Sequence, residues 1–522
     1  MTYKREVAEA VRRARAFVLE GCEQILAGQV DERHAVSPSP GPTALATLAL
    51  LALGRGFEIP QQRGVRWLWL NRQTRGWGKV PGSPPDAEIT HLVSTVLQNS
   101  PGGWVAKLRL LGQARQFSSL ILSLGQSMVP GLKGPAPEEI RWPRVLDEPV
   151  LAKLPPYGRP VVVAAALLAV EDLQQEGLEQ AVDYLLAAQL PDGSWSEDIV
   201  ATSMGILSLA RVHCLRDRLE RAGYWLVRKQ YAHGAWPAFD QLFTWAVGWA
   251  GSVFAELERT PRENAWLHRA GCWLRAGQNL DGSYGTTPPF THPDLDDTAV
   301  ALLGLHHCGT NNPQAVQLIK HLQNGDGSWG TFPSFDGMPP DIESKFPVYI
   351  PSVDVTVHVL EALGHDDFRM HQAAMLKGLA WLLTQQQPNG EFSAVWYEGP
   401  IYATAQMLEL VSQWRLPCTQ QILLMRRRAH EFLIEAQNTD GGWGRSPVET
   451  GLALSALLHS GRPVAREVLE RGIKYLISRQ RSDGSFEPAY GGIYAKGWNY
   501  EEPLATALTA LRALTRYDNL EE

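Results

Sequence analysis

Cysteine is scarce in this chain of 522 residues: Cys22, Cys214, Cys272, Cys308 and Cys418 are odd in number, far apart and never in a C-x-x-C pair. That argues against a disulfide framework and for reduced, buried thiols in a cytosolic protein. Positive charge is also in short supply. With 48 basic against 55 acidic residues, net −7, there is no electrostatic footprint for nucleic acid and no basic block to hold the chain on an anionic membrane. Long apolar runs are absent too. The longest, "ALATLALLAL" (44–53) and "VVVAAALLAV" (161–170), fall short of the roughly 20 residues that span a bilayer. The opening "MTYKREVAEAVRRARAFVLEG" mixes charge with apolar residues at helical spacing and lacks the continuous core of a signal peptide. The expectation is a cytoplasmic protein without a transmembrane segment or nucleic-acid partner; peripheral contact of an apolar patch with a membrane stays open. Alternating β-branched stretches are nearly missing, which speaks against a sheet.

What is present is length and repetition. A chain this long exceeds one ordinary core, so two or more domains are expected. Tryptophan (18) and glycine (47) recur together in one unit: Gln, a short turn, Gly, then an aromatic. It appears as "NRQTRGWG" (71–78), "AAQLPDGSWS" (187–196), "RKQYAHGAWP" (228–237), "AGQNLDGSYG" (276–285), "HLQNGDGSWG" (321–330), "TQQQPNGEFS" (384–393), "EAQNTDGGWG" (435–444) and "SRQRSDGSFE" (478–487). From Trp195 onward most copies lie about 40 to 50 residues apart, a period that implies stacked supersecondary units. Apolar helices such as "AVDYLLAAQ" and "GIKYLISRQ" end at the Gln, and a second apolar stretch such as "TGLALSALL" follows the turn. Helix hairpins repeated in this way give an all-α fold, closing into (α/α) barrels or stacking as a solenoid. The tryptophans Trp77, Trp195, Trp329 and Trp443 are expected to pack the turns. An irregular, Pro-rich segment at 129–160 is either a long loop or a linker, and Arg159 at its end, like the pairs Glu501-Glu502 and Asp366-Asp367, is expected to face solvent.

Against this background "THPDLDDTAV" (291–300) stands out, with Asp294, Asp296 and Asp297 crowded at the mouth of an apolar helix. The simplest reading is a helix N-cap, since a carboxylate there satisfies free N–H groups and suits the helix dipole.

The sequence carries a more specific pattern. The Gln…Gly-x-Trp units resemble the QW motifs of the squalene–hopene and oxidosqualene cyclase superfamily, and "DLDDTA" matches the D-x-D-D-T-A signature of class II terpene cyclases. "PSVDVTVHVLEALG" (351–364) resembles the family's P-S-x-D-V-T-x-H-V-L-E segment, and "VWYEGPIYATA" (395–405) its W-x-x-x-x-x-Y segment, with an ending closest to bacterial labdane-type diphosphate cyclases. The chain is shorter than a typical hopene cyclase and lacks that family's apolar docking insertion, as well as the S-x-Y-D-T-A-W segment of many diterpene enzymes.

The resemblance implies two (α/α) barrels: a β barrel from residues 1–26 and 235–522 carrying the acid motif, and an inserted γ barrel from 27–234. It implies protonation-initiated cyclisation of a linear polyprenoid, with geranylgeranyl diphosphate to a bicyclic labdane-type diphosphate as the first choice. A squalene-type triterpene, farnesyl diphosphate giving a drimane, and a prenylated aromatic acid are the alternatives within the class. Asp296 is then the general acid, Asp294 and Asp297 orient it, His358 tunes it and Tyr402 leads its reprotonation. Trp245, Phe332, Trp396, Asp354, Trp498 and Tyr500 are the candidates for substrate binding and cation stabilisation. The chemistry fits, because crowded, buried carboxyls cannot all ionise and so keep a proton in place, while aromatic walls exclude water and stabilise cations. No D-D-x-x-D motif is present, so metal-dependent ionisation of a diphosphate is not expected. Protonation needs no cofactor, and Mg²⁺ enters only if the substrate carries a diphosphate. Two other classes compete: an (α/α) barrel glycan lyase or glycosidase, which would want an open polar groove, and a non-catalytic helical-repeat scaffold.

Overall fold

Helices in this chain come in two kinds, sorted by composition. Some, such as "PGPTALATLALLAL", are apolar on every side and must be surrounded by protein; others, such as "RDRLERAGYWLVRK", keep one apolar stripe and turn charge to solvent. The structure, a computed structural model, describes residues 2–99, 158–169, 178–210, 215–239, 242–287, 294–332, 351–413, 419–487, 491–495 and 498–520. Among them the elements are α1 (Thr2–Ala27), α2 (Pro40–Leu53), α3 (Glu58–Leu70), α4 (Ala87–Asn99), α5 (Arg159–Ala169), α6 (Leu178–Ala188), α7 (Ile199–Leu209) and α8 (Arg216–Lys229). There follow α9 (Phe243–Ala255), α10 (Pro261–Ala276), α11 (Leu295–His307), α12 (Pro313–His321), α13 (Val353–Gln385), α14 (Ile401–Gln413), α15 (Gln420–Glu435), α16 (Pro447–His459), α17 (Arg466–Arg479) and α18 (Pro503–Leu520). A small antiparallel hairpin, β1 (Gly492–Ala495) and β2 (Trp498–Tyr500), precedes the last helix. The fold is all-α, as expected.

The apolar helices of the second half form a closed ring. α9 packs on α11, α11 on α13, α13 on α14, α14 on α16, α16 on α18, and α18 returns to α9. α13 turns back at Asp367 (φ −162°, ψ 101°), so its first half belongs to the ring and its second half to the outside. The amphipathic helices α10, α12, α15 and α17 lie around this ring, and α1 completes them against α9, α10, α17 and α18. Close approach of α9 and α11 depends on paired glycines, because a Cβ on Gly304 would stand 2.6 Å from the Cα of Gly248. One hydrophobic core joins α1 to residues 245–517, and a second occupies residues 44–236.

The Gln-Gly-aromatic units are the joints of both halves. The tryptophan indole N–H donates to the carbonyl that ends the preceding outer helix, as in Trp443 to Leu433 (2.5 Å) and Trp195 to Leu185 (2.7 Å). The backbone N–H of the aromatic donates to a threonine on the next inner helix: Trp443 to Thr450, Trp329 to Thr356, Tyr284 to Thr298 and Phe392 to Thr404. The glutamine amide bonds the turn glycine and the next outer helix together, Gln437 reaching Gly441 and Val468 at 2.9 Å each. In the last unit Gln480 reaches Ala10 of α1, and in the unit at 228–237 Gln230 reaches Pro60 of α3. Each of these two units therefore ties the end of a run of helices back to its beginning.

Three surface expectations change. Burial takes Glu501 and Glu502 out of solvent, at 4% and 8% exposure, because they open α18 at the inside of the ring. Arg159, the first residue of α5, and Asp366, which accepts a hydrogen bond from His371 (2.8 Å), are half-buried, while Asp367 is exposed. Of the cysteines Cys22 is buried, Cys308 half-buried and Cys272 exposed on the outer face of α10; Cys214 and Cys418 lie outside the described residues.

Candidate active site

The inner helices α11, α13, α14 and α16 of the larger ring are joined to the same kind of turn, so their N-termini gather at one end. The acid motif is a version of that turn. Asp294 pairs with Tyr284 in an isolated bridge, its N–H donating to the Tyr284 carbonyl (2.9 Å), and Thr298 follows four residues later as Thr356, Thr450 and Thr506 do elsewhere. Asp294 is the N-cap: its Oδ1 accepts from the N–H groups of Asp296 (2.7 Å) and Asp297 (3.1 Å). The capping reading thus holds for one carboxylate of three.

The other two carboxylates look elsewhere. Asp296 Oδ1 accepts a hydrogen bond from His358 Nδ1 at 2.5 Å. On the far side of that imidazole, Nε2 stands 3.1 Å from Gln406 Nε2 and 3.3 Å from the Tyr402 hydroxyl. Burial works against a charge on His358, but the Asp296 carboxylate outweighs it and holds the imidazole above its usual value. Asp297 is 3% exposed and its Oδ1 has no hydrogen-bond partner. Burial first, then the repulsion of Asp294, Asp296 and Glu502, pushes its carboxyl well above the ordinary range. Asp294 is pushed up to about 8 by burial and by Asp296.

Asp354 sits in its own helix start where Asp296 sits in α11, two residues past the N-cap. Its oxygens are taken up by the Ser352 hydroxyl and by the N–H groups of Val395 (3.1 Å) and Trp396 (2.9 Å), so it fixes the loop that carries Trp396. Burial raises it to about 6. Trp396 is half-buried and its indole donates to Thr331 Oγ1 (2.6 Å), while the Thr331 carbonyl receives the N–H of Leu295 (2.8 Å). Thr331 therefore links the tryptophan to the acid motif.

Aromatic rings cover the imidazole. Trp245 lies 6.5 Å from His358 between ring centres, and Trp249 packs edge-on against Trp245 at 4.1 Å. Tyr402 is stacked on Tyr397, 3.6 Å apart and nearly parallel, and Tyr500 meets Phe239 edge-on at 4.8 Å. Trp245, Trp249, Tyr397, Tyr402 and Tyr500 wall, with Glu502, a small cavity of about 20 Å³. Phe332 does not join this wall; it is half-buried and packs against the smaller core. The backbone of Trp498 lies on β2 opposite Ala495, and its side chain is outside the described residues, as are Thr291, His292 and Pro293.

Five residues of the site escape a sequence reading: Trp249, Thr331, Tyr397, Gln406 and Glu502. Three had a signal. Trp249 and Gln406 follow Trp245 and Tyr402 by one helical turn, so they share a face with them. Glu502 holds the same position before Thr506 that Asp294 holds before Thr298, and each backbone carbonyl accepts from its threonine hydroxyl. Thr331 and Tyr397 lie in loops, where no periodicity points inward.

Comparison with known proteins fits this geometry. A squalene-hopene cyclase C-terminal domain matches residues 289–517, and a prenyltransferase alpha-alpha toroid domain matches 221–346. Labda-7,13-dienyl diphosphate synthase of Streptomyces clavuligerus is 29% identical over 307 residues, 54% of this chain and 51% of that protein. Drimenyl diphosphate synthase of Streptomyces showdoensis is 24% identical over 343 residues, 63% of this chain and 61% of that one. The chain thus matches little more than half the length of these relatives. In fold it is similar to the ent-copalyl diphosphate synthase from Streptomyces platensis, with a TM-score of 0.61 at 20% identity over 98% of this chain and 99% of the other.

Proposed function

Because the chain belongs to the class II terpene cyclases of the squalene–hopene cyclase superfamily, we propose that it closes rings in a linear polyprenoid by protonating an alkene, with geranylgeranyl diphosphate converted to a bicyclic labdane-type diphosphate. The observation that carries the reading is Asp296 on His358 at 2.5 Å, beneath an aromatic wall at the N-terminal end of the ring. In the proposed step the O–H bond of Asp296 breaks as a C–H bond forms at the terminal alkene. The carboxylate left behind is met by the His358 N–H already aimed at it, so no reorganisation is needed at the moment of transfer. Asp294 holds the backbone of the motif in place, and Tyr402 and Gln406 fix the far side of the imidazole. The cation then moves along the chain under the rings of Trp245, Trp249 and Tyr397, each face worth about 0.5 to 2 kcal/mol to a neighbouring positive charge. Loss of a proton ends the reaction, and a diphosphate leaves intact.

A C20 diphosphate is favoured by the match to a labda-7,13-dienyl diphosphate synthase, and farnesyl diphosphate is the second reading on the match to a drimenyl diphosphate synthase. Among the described residues no group of three or more His, Cys, Asp or Glu is arranged to hold a metal, so no step is assigned to Mg²⁺. No described helix is long and apolar enough to cross a membrane. The proposed division into a β barrel (1–26 and 235–522) and an inserted γ barrel (27–234) is supported by the two closing units, Gln480 onto α1 and Gln230 onto α3.

The test is product analysis by gas chromatography and mass spectrometry after phosphatase treatment. Wild type and Asp296→Asn are offered geranylgeranyl diphosphate, farnesyl diphosphate and squalene. A cyclised product from wild type alone identifies both acid and chain length. Equal turnover by Asp296→Asn would remove the acid from its role, and inertness of wild type toward all three would count against these substrates.

A further inference from the structure

Glu502 is a buried carboxyl that protonation of the substrate does not use. It caps the start of α18, where its backbone carbonyl receives the Thr506 N–H and hydroxyl at 3.0 Å each. Its side chain lines the cavity, is 8% exposed, and its Oε2 has no hydrogen-bond partner. Within its electrostatic reach is Asp297, whose Oδ1 is likewise buried and unpartnered. Two such oxygens in a native site call for an explanation, since each unpaired buried polar group costs about 1 to 3 kcal/mol. Beyond Glu502 comes Glu501, whose carboxylate accepts from the Ser37 hydroxyl in the half-buried segment between α1 and α2 and whose carbonyl receives the Ser37 N–H at 2.9 Å. Asp297 thus lies under the influence of both Asp296 and Glu502, and Glu501, next to Glu502 in the chain, is bonded to Ser37.

We propose that Asp297 and Glu502 form the route by which Asp296 is reloaded with a proton after each cyclisation, with Glu501 and Ser37 at its outer end. This rests on the cyclase reading and assigns a second role to the same site. Once Asp296 has given its proton to the alkene, the O–H bond of Asp297 breaks as one forms on Asp296. Glu502 then loses its proton to Asp297 and regains one from the Glu501 side. One proton enters per proton delivered, so the balance closes when the terminal cation releases its proton. Such a relay needs carboxyls that are protonated at rest. Burial raises Glu502 to about 8 and Glu501 to about 7, and Asp297 lies well above its ordinary value. The same cavity is also lined by Glu398, by Glu449, whose carboxyl burial raises, and by the hydroxyls of Tyr397, Tyr402 and Tyr500, which burial keeps neutral. Glu502 acts through Asp297 and is a positioning residue for the proton, not the acid that meets substrate.

Two measurements decide the proposal. The first needs no substrate: infrared spectra of wild type, Glu502→Gln and Asp297→Asn in H₂O and D₂O near neutral pH. Glu502→Gln is expected to remove one protonated-carboxyl band and to shift a second band, the one that Asp297→Asn removes. An unshifted second band, or no protonated band lost, would overturn the coupling. The second is rapid quench on geranylgeranyl diphosphate. Glu502→Gln should complete its first turnover at the wild-type rate while its steady-state kcat falls at least about tenfold, the scale of one proton-transfer contribution, with partial rescue by Glu502→Asp. Equal slowing of both phases would make Glu502 a structural or substrate-contact residue and sink the relay. If wild type forms no cyclic product, the cyclase reading fails while the infrared result still decides whether the carboxyls are coupled.

Discussion

Asp294, Asp296 and Asp297 share one helix start, yet each faces a different partner: backbone N–H groups, an imidazole, and no hydrogen-bond donor at Oδ1. Substitutions should separate accordingly. Asp296→Asn keeps the side-chain shape and is expected to lower cyclisation by about 10² to 10⁴-fold with unchanged circular dichroism. Asp294→Ala should instead lower stability by about 1 kcal/mol through loss of the cap, which Asp294→Asn retains. The pH dependence follows from the same carboxyls. Asp294 and Glu502 near 8, Glu501 near 7 and Asp354 near 6 all lie above the ordinary carboxyl value of about 4. Each binds its proton more tightly folded than unfolded, so its contribution is complete below the unfolded value and fades as pH rises through the folded one. The urea midpoint is therefore expected to fall between about pH 4 and about pH 8, and Asp294→Asn or Glu502→Gln should flatten that slope.

At the scale of the helix, stability resides in the joints. Gln437 satisfies two carbonyls on different elements, and Gln437→Ala should cost about 1 to 3 kcal/mol by leaving them unmet. Gly441 adopts φ 93°, and a Cβ there would lie 2.6 Å from the Arg471 carbonyl oxygen on α17, so Gly441→Ala should cost a similar amount. Denaturant titration checks both. The same joints explain why the acid motif stands where it does. A repeat that joins inner helices to glycine-aromatic turns delivers their N-termini to one end of the ring; Asp294, Asp354 and Glu449 come from such starts, while Glu502 opens α18 after the β1–β2 hairpin.

For the whole molecule, the opposite end of the ring carries a different device. Arg512 and Arg516 on α18 bind Glu409 on α14 (2.8 and 2.7 Å) and Glu256 after α9, holding three elements together. Although burial opposes its charge, the two arginines pull Glu256 down to about 2, so this network contributes above the ordinary carboxyl value and is lost only in strong acid. Arg512→Met leaves a buried Glu409 with one cation instead of two and should cost about 3 to 5 kcal/mol, read as a lowered calorimetric transition. Removal of α1 should be worse, because it is the outer helix on which the last repeat closes through Gln480 and Arg13. A chain lacking residues 2–27 is expected not to fold cooperatively.

Much of this could be read along the chain. Repeats with a fixed internal order, each pairing an all-apolar helix with an amphipathic one, give an all-α fold of helix hairpins, because burial periodicity and turn chemistry are local properties, while closure into a ring rather than a solenoid is decided by tertiary contacts. D-x-D-D and its flanking segments likewise marked Asp296, His358 and Tyr402 by residue type and order. Distance along the chain hid the rest. Glu501 and Glu502 read as a solvent-facing acidic pair because charge is usually exposed, and only closure of the ring brings Glu502 into the cavity wall and Asp297 within its electrostatic reach. Phe332 went to the other core and Tyr397 came in from a loop for the same reason: which side of a wall an aromatic faces is set by how distant helices pack, and no short-range pattern encodes it.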